Sequence, residues 1–166
     1  MGFLSLVNDG EIYLKMMNVK TKFPPPLVAL TFGFLINYTK SVFPKIEIGW
    51  GDVFGSIFII FGIIIILSAI VLFKKYKTTI TPLKPSKATK LIVSGVYKFS
   101  RNPMYLGLLL VLSGVSTILN PIGGLFLIPL FILYINFFQI VPEENAMVYL
   151  FKDEFLEYKK NVRRWI

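Results

Sequence analysis

Residues 102–142, NPMYLGLLLVLSGVSTILNPIGGLFLIPLFILYINFFQIVP, run for 41 residues without a single charge. At about 1.5 Å per residue, a helix of that length is twice a bilayer crossing, which takes about 20 residues, so the segment must turn back on itself. Asn120-Pro121-Ile122-Gly123-Gly124 supplies the turn residues,. The stretch therefore divides into spans of about 103–119 and 122–141. Working outward, the uncharged run Val53 to Phe73 forms a span of about 53–73, and Phe23 to Thr39, opening on three prolines, a shorter one of about 23–39,. After Pro142 the pattern changes: Met147, Leu150, Phe151, Phe155, Tyr158 and Val162 recur at spacings of three and four, which predicts an amphipathic C-terminal helix over 143–162,. The expected fold is all-α, a multi-pass transmembrane helical bundle of about four spans forming a single domain over 23–166.

Composition supports that reading. Of the 166 residues, 55% are hydrophobic, too many for a soluble domain of this length,. The formal charge of +9 would point to nucleic acid in a soluble protein. Here the basic residues lie beside apolar spans, where anionic lipid headgroups account for them and no nucleic-acid partner is expected. The chain has no cysteine and no histidine. That excludes disulfides, thiolate chemistry and the usual general base near neutral pH, and no metal centre is expected.

Charge also sets the orientation. Lys74, Lys75, Lys77, Lys84, Lys87, Lys90, Lys98 and Arg101 lie in the loop 74–101, and five more basic residues follow Phe151. Lys15, Lys20 and Lys22 precede the first span, leaving only Lys40 and Lys45 opposite. Both termini and the long loop are thus expected in the cytosol. Residues 1–22 mix apolar and charged residues without the pattern of a secretory signal, and Leu6 replaces the Ser or Thr of a myristoylation site,. They read either as an interfacial segment or as an extension before Met16 or Met17.

The reactive side chains gather at two places. Tyr97, Arg101, Asn102 and Tyr105 surround the expected start of the third span, where Asn102 is a favoured N-cap and Pro103 a favoured first helical residue,. The free N–H groups and positive dipole end of that helix suit a carboxylate or phosphate. Glu143 and Glu144 follow the fourth span, and the hairpin should bring the two clusters together. Taken alone, these residues fit snorkelling or paired anchors as well as a functional site.

Several motifs carry a family resemblance: Gly95-Val96-Tyr97, then Arg101-Asn102-Pro103-Met104-Tyr105-Leu106-Gly107, then Pro142-Glu143-Glu144, then Tyr158 with Val162-Arg163-Arg164-Trp165-Ile166. In this order they resemble the membrane methyltransferases typified by isoprenylcysteine carboxyl methyltransferase, whose core the phospholipid N-methyltransferases share. The resemblance covers about Pro24 to Ile166. It implies S-adenosylmethionine as cofactor, held in a cytoplasmic-facing pocket by Tyr97, Arg101, Asn102, Pro103, Tyr105, Gly107, Glu143, Glu144 and Tyr158, with Arg101 and Glu144 as the catalytic pair. The implied reaction is methyl transfer to a lipophilic acceptor at the membrane surface, a carboxylate or, alternatively, a phospholipid amine.

Some positions depart from the family pattern. Val96 stands where proline is common, Asn102 where histidine is common, Phe137 where many relatives carry arginine, and Lys152 where glycine usually follows Phe151. The last predicts a more continuous C-terminal helix than usual. A reading from another class is a non-catalytic membrane protein that binds lipid or a partner through its basic loop. The oligomeric state is left open.

Overall fold

The computed structural model describes residues 23–44, 46, 49–76 and 90–166, so the N-terminal segment and loop residues 77–89 lie outside the described residues. Among these, every regular element is helical. Helix α1 is Pro25–Tyr38, α2 is Gly51–Lys75, α3 is Pro103–Leu119 and α4 is Pro121–Ile135. A π turn, Asn136–Ile140, leads directly into α5, Val141–Asn161.

The expected third span and the start of the fourth fall where the turn chemistry puts them. Pro103 and Pro121 each open a helix, where the missing N–H costs nothing,. Asn120 is fully buried and caps α4: its Oδ1 accepts from the Gly123 N–H at 3.1 Å, and its Nδ2 donates to the Phe43 carbonyl at 3.4 Å. The turn leaves no room for side chains. A Cβ on Gly123 would overlap the Thr39 hydroxyl, and one on Gly124 the Ser116 hydroxyl.

Helix α3 is the centre of the bundle, touching α1, α2 and α4. Against α1 and α4 it builds an apolar core of Val28, Ile36, Tyr105, Leu112, Phe131, Ile135 and Ile140. Against α2 it packs through glycine. Gly62 faces Gly107 and Gly55 faces Gly114, so a Cβ on Gly62 would stand 2.6 Å from the Gly107 carbonyl oxygen. Small residues spaced in this way let two backbones approach closely, which is how helices associate where the solvent offers no hydrophobic drive.

The outside of the bundle is apolar. Phe54, Ile57, Ile60, Phe61, Ile64 and Leu67 of α2 all point away from the protein. Such a surface suits hydrocarbon rather than water. Helix α2 and the 41-residue run Pro121–Asn161 are long and apolar enough to cross a membrane. Helices α1 and α3, with 14 and 17 residues, are shorter than a full crossing of about 20,.

Two expectations need correction. The fourth span and the C-terminal helix are not separated at Pro142, because the helix runs on through the π turn. Pro142 explains the turn: its ring cannot sit against a normal carbonyl four residues back and it has no N–H to give. The backbone opens instead, and the Val141 N–H bonds the Asn136 carbonyl, five residues away. Nor is the C-terminal helix continuous at Lys152. That residue has φ 43° and ψ −120°, non-helical values that kink α5. Backbone of this kind is natural only for glycine.

Replacing Lys152 with glycine should therefore stabilise the protein by about 1 kcal/mol or more. Thermal unfolding in detergent checks this: the Lys152→Gly midpoint should rise, and a fall would mean that the kink carries no strain.

Candidate functional site

The hairpin brings the two reactive clusters into contact. Arg101 Nη2 donates to Glu144 Oε1 at 2.7 Å, and Arg164 binds the same carboxylate twice, Nε to Oε1 at 3.1 Å and Nη2 to Oε2 at 2.7 Å. The Arg101 and Glu144 side chains are each only 8% exposed, whereas Arg164 is 35% exposed. A carboxylate so placed should be pushed up by burial, but the hydrogen bonds from Arg164 and Arg101 outweigh this and hold Glu144 below the ordinary carboxylate range,.

Arg101 is also bound to the end of α5. Its Nη1 donates to the Val162 carbonyl at 2.6 Å and to the Lys159 carbonyl at 3.2 Å, and its backbone N–H donates to the Arg163 carbonyl at 3.0 Å. The Lys159 carbonyl is one that the helix end leaves unpaired, those of Val162 and Arg163 lie just past it, and a cation is favoured there by the dipole,. Its Nε is buried and meets no acceptor among the described residues.

Asn102 precedes α3 as expected, but its side chain does not cap the helix. Instead Nδ2 donates to the Arg164 carbonyl at 3.0 Å, and Ser100 Oγ reaches the same oxygen at 3.4 Å. The C-terminal tail is thus laced across the mouth of α3, with Trp165 packed against the central core. The first backbone bond of α3 runs from the Leu106 N–H to the Asn102 carbonyl. The N–H groups of the helix mouth therefore remain available to an anion.

Glu143 points elsewhere than its neighbour, accepting a short hydrogen bond from the Tyr105 hydroxyl. Glu143 follows the span of about 122–141 expected from the sequence. Burial raises its carboxyl to about 7, helped by the charge of Glu144 and opposed by the Tyr105 hydrogen bond,. The Tyr158 hydroxyl donates to the Tyr97 carbonyl at 2.6 Å, tying α5 to the turn before α3. The Tyr97 ring is buried edge-on against Phe73 of α2. Burial also raises the hydroxyls of Tyr97 and Tyr158, so both stay protonated.

Of the residues singled out in the sequence, Tyr97, Arg101, Asn102, Pro103, Tyr105, Glu143, Glu144 and Tyr158 surround one end of α3. Gly107 does not join them. It faces α2, where a Cβ would lie 2.5 Å from Ile66 Cγ1, and serves helix packing. Arg164 and Ser100 were missed as site residues. The basic pair Arg163-Arg164 in the terminal motif was the available signal, but nothing in the local sequence says which arginine turns inward.

The geometry can be set beside known proteins. A family model for phospholipid methyltransferases (PEMT) matches residues 50–154. Protein-S-isoprenylcysteine O-methyltransferase of Xenopus laevis is 29% identical over 140 residues, 82% of this chain and 48% of that protein. The protein of the same name from Schizosaccharomyces pombe is 26% identical over 157 residues, 95% of this chain and 59% of that one. An uncharacterized protein of Haemophilus influenzae is 47% identical over 64 residues, its whole length and 38% of this chain. No solved structure matches. This chain spans about half the length of the first two relatives, and the family match takes in α2, α3, α4 and the Glu143-Glu144 pair. The chain belongs to the phospholipid methyltransferase family of membrane proteins.

Proposed function

We propose that this protein is an S-adenosylmethionine-dependent methyltransferase acting on a lipophilic acceptor at the membrane surface. The observation that carries the reading is the cluster of buried Arg101 and Glu144 with half-buried Arg164 at the mouth of α3, built from residues of the resembled motifs. Two guanidinium groups face one carboxylate, which leaves an excess of positive charge beside free helix N–H groups,. That environment suits the carboxylate of an amino-acid moiety, and the buried Nε of Arg101 is a donor with no acceptor among the described residues. Glu143 and the Tyr97 and Tyr105 rings suit the cationic and hydroxyl parts of the same molecule. When bound, the cofactor supplies an electrophilic methyl on a sulfonium.

The protein's own part is alignment and exclusion of water. A carboxylate acceptor, ionised at neutral pH, needs no base. The similarity to two isoprenylcysteine O-methyltransferases favours such O-methylation. One observation favours an amine acceptor instead: Glu143, held by Tyr105 and raised to about 7, is suited to take a proton near neutral pH,.

The experiment is S-adenosylmethionine binding to detergent-solubilised wild type, Arg101→Ala, Glu144→Gln and Glu143→Gln, each checked for folding. The first two should weaken binding roughly ten- to hundredfold, the scale of a lost charge-assisted contact. A wild type that binds no cofactor even with lipid present would remove the methyltransferase reading. Variants that all match wild type would remove the site.

Glu143 gives a pH prediction. Its folded-state carboxyl is raised above the ordinary range, so the folded protein holds a proton that the unfolded chain releases,. Its contribution to stability is complete at low pH and is lost as pH rises from the ordinary carboxylate range through about 7. Thermal midpoints measured across this window should fall more steeply for wild type than for Glu143→Gln; parallel curves would contradict the assignment.

We also infer four spans with both termini in the cytosol, from the charge asymmetry and the hairpin. With no native cysteine, Ser86→Cys carries a single thiol. A membrane-impermeant thiol reagent added to intact cells should not label it, and labelling would reverse the orientation.

A further inference from the structure

Helix α5 does not run straight. Arg101 Nη2 donates to Glu144 at 2.7 Å, and Nη1, on the same guanidinium carbon, donates to the Lys159 carbonyl at 3.2 Å. Glu144 and Lys159 are fifteen residues apart, which along a straight helix would be about 22 Å. One guanidinium cannot bridge that distance, so the two ends of α5 lie side by side. The reversal takes place at Lys152, where α5 leaves helical values at φ 43° and ψ −120°. A first arm, 141–151, continues from the π turn, and a second, 153–161, carries the tail 162–166 back across the mouth of α3.

What holds the folded-back arm is mainly polar. The Tyr158 hydroxyl donates to the Tyr97 carbonyl, the Arg101 N–H to the Arg163 carbonyl, and the Ser100 and Asn102 side chains to the Arg164 carbonyl. Its apolar seat is small: Phe155 and Tyr158 pack on Leu91, and Trp165 on the central core. Two features favour release. The Lys152 side chain is exposed, so only the contacts of the two arms keep its backbone in a conformation natural to glycine, and lifting the second arm would relieve it,. Glu144 also has two cations, Arg101 buried and Arg164 more exposed and carried by the tail. When the tail leaves with Arg164, Glu144 keeps Arg101, and no buried charge is stranded.

We propose that residues 153–166 form a hinged arm over the mouth of α3, swinging at Lys152 and latched by Arg164 on Glu144 and by Tyr158 on the Tyr97 carbonyl. A polar ligand reaches the N–H groups of the mouth when the arm lifts, and the arm's return closes water out behind it. The structure shows the closed form. The motion stands on the contacts and the hinge alone; that the ligand is S-adenosylmethionine rests on the methyltransferase reading above. The strain at Lys152 belongs to the closed form with or without a ligand. Relieving it therefore makes opening rarer in both states, slowing entry and exit alike and leaving affinity unchanged.

The chain has no cysteine, so Lys75→Cys at the end of α2 and Lys160→Cys on the arm, both exposed, introduce two thiols for nitroxide labels. Their separation is measured by double electron–electron resonance in detergent without ligand, with and without Tyr158→Phe. One distance should dominate, and Tyr158→Phe should raise the share of a longer one about fivefold, the scale of one net hydrogen bond. Exchange of S-adenosylhomocysteine is then followed in unlabelled wild type and Lys152→Gly. Association and dissociation should both slow about fivefold in the variant, the scale of one relieved strained residue, with Kd unchanged. A distance distribution that Tyr158→Phe leaves unmoved, exchange rates in Lys152→Gly equal to those of wild type, or a change in dissociation alone would overturn the arm and leave the methyltransferase reading standing. If wild type binds no S-adenosylhomocysteine, the methyltransferase reading fails, and the distance distributions alone decide for or against the arm.

Discussion

One carboxylate, that of Glu144, joins three parts of the chain that are far apart in sequence. Arg101 comes from the loop before α3, Glu144 from the first turn of α5 and Arg164 from the tail. An isolated buried carboxylate would be strongly unfavourable, and the two guanidinium groups make its position tolerable by occupying both oxygens. Such a cluster need not add net stability over apolar residues of similar size. Losing Glu144, however, leaves the buried Arg101 without its carboxylate partner, and breaking a buried pair in this way costs about 3 to 5 kcal/mol,. The arrangement therefore fixes geometry more than it supplies stability, and what it fixes is the tail across the mouth of α3.

Arg101 takes part in two such constraints. Besides Glu144, it bonds the carbonyls of Lys159 and Val162 at the end of α5, where its charge meets the negative end of that helix,. Lysine would not serve as well, since a single ammonium cannot reach in several fixed directions at once. The same guanidinium thus anchors both ends of α5, one through Glu144 and the other through the terminal carbonyls. Arg101 and Glu144 were read from the sequence as catalytic; their contacts make them first the frame that positions a site, and any contact with a cofactor is additional to that work.

The hairpin was legible because lipid imposes it: 41 uncharged residues cannot cross once, and Asn-Pro-Ile-Gly-Gly is the one place where they can turn. The meeting of Arg101 and Glu144 followed from the same constraint. So did the divergence of Glu143 and Glu144, which neighbouring positions on a helix require. Less legible was anything that depends on how the backbone deviates from a regular helix. Pro142 looked like a boundary because proline usually is one, yet here the break is absorbed as a π turn. Lys152 looked helical because lysine is, and nothing in that residue type announces the kink found there. Gly107 sits within a motif full of site residues, but its role depends on Gly62, 45 positions earlier in the chain, which no local pattern reveals.

The two ends of α3 are held by different physics, and this division is what makes a site possible. Toward the Asn120 turn, α3 is fixed by close backbone packing of Gly114 against Gly55 and by the capped, side-chain-free turn at Gly123 and Gly124. These contacts need no water and tolerate no added atom. At the other end the helix mouth is fixed by charge and by hydrogen bonds from Arg101, Asn102 and Tyr105. Polar contacts of this kind can exchange partners with a ligand, whereas packed glycines cannot. A rigid glycine-packed helix can therefore keep its mouth in place while the polar groups around it rearrange. The π turn joins the apolar helix α4 to the first turn of α5, which carries Glu143 and Glu144 into that polar end.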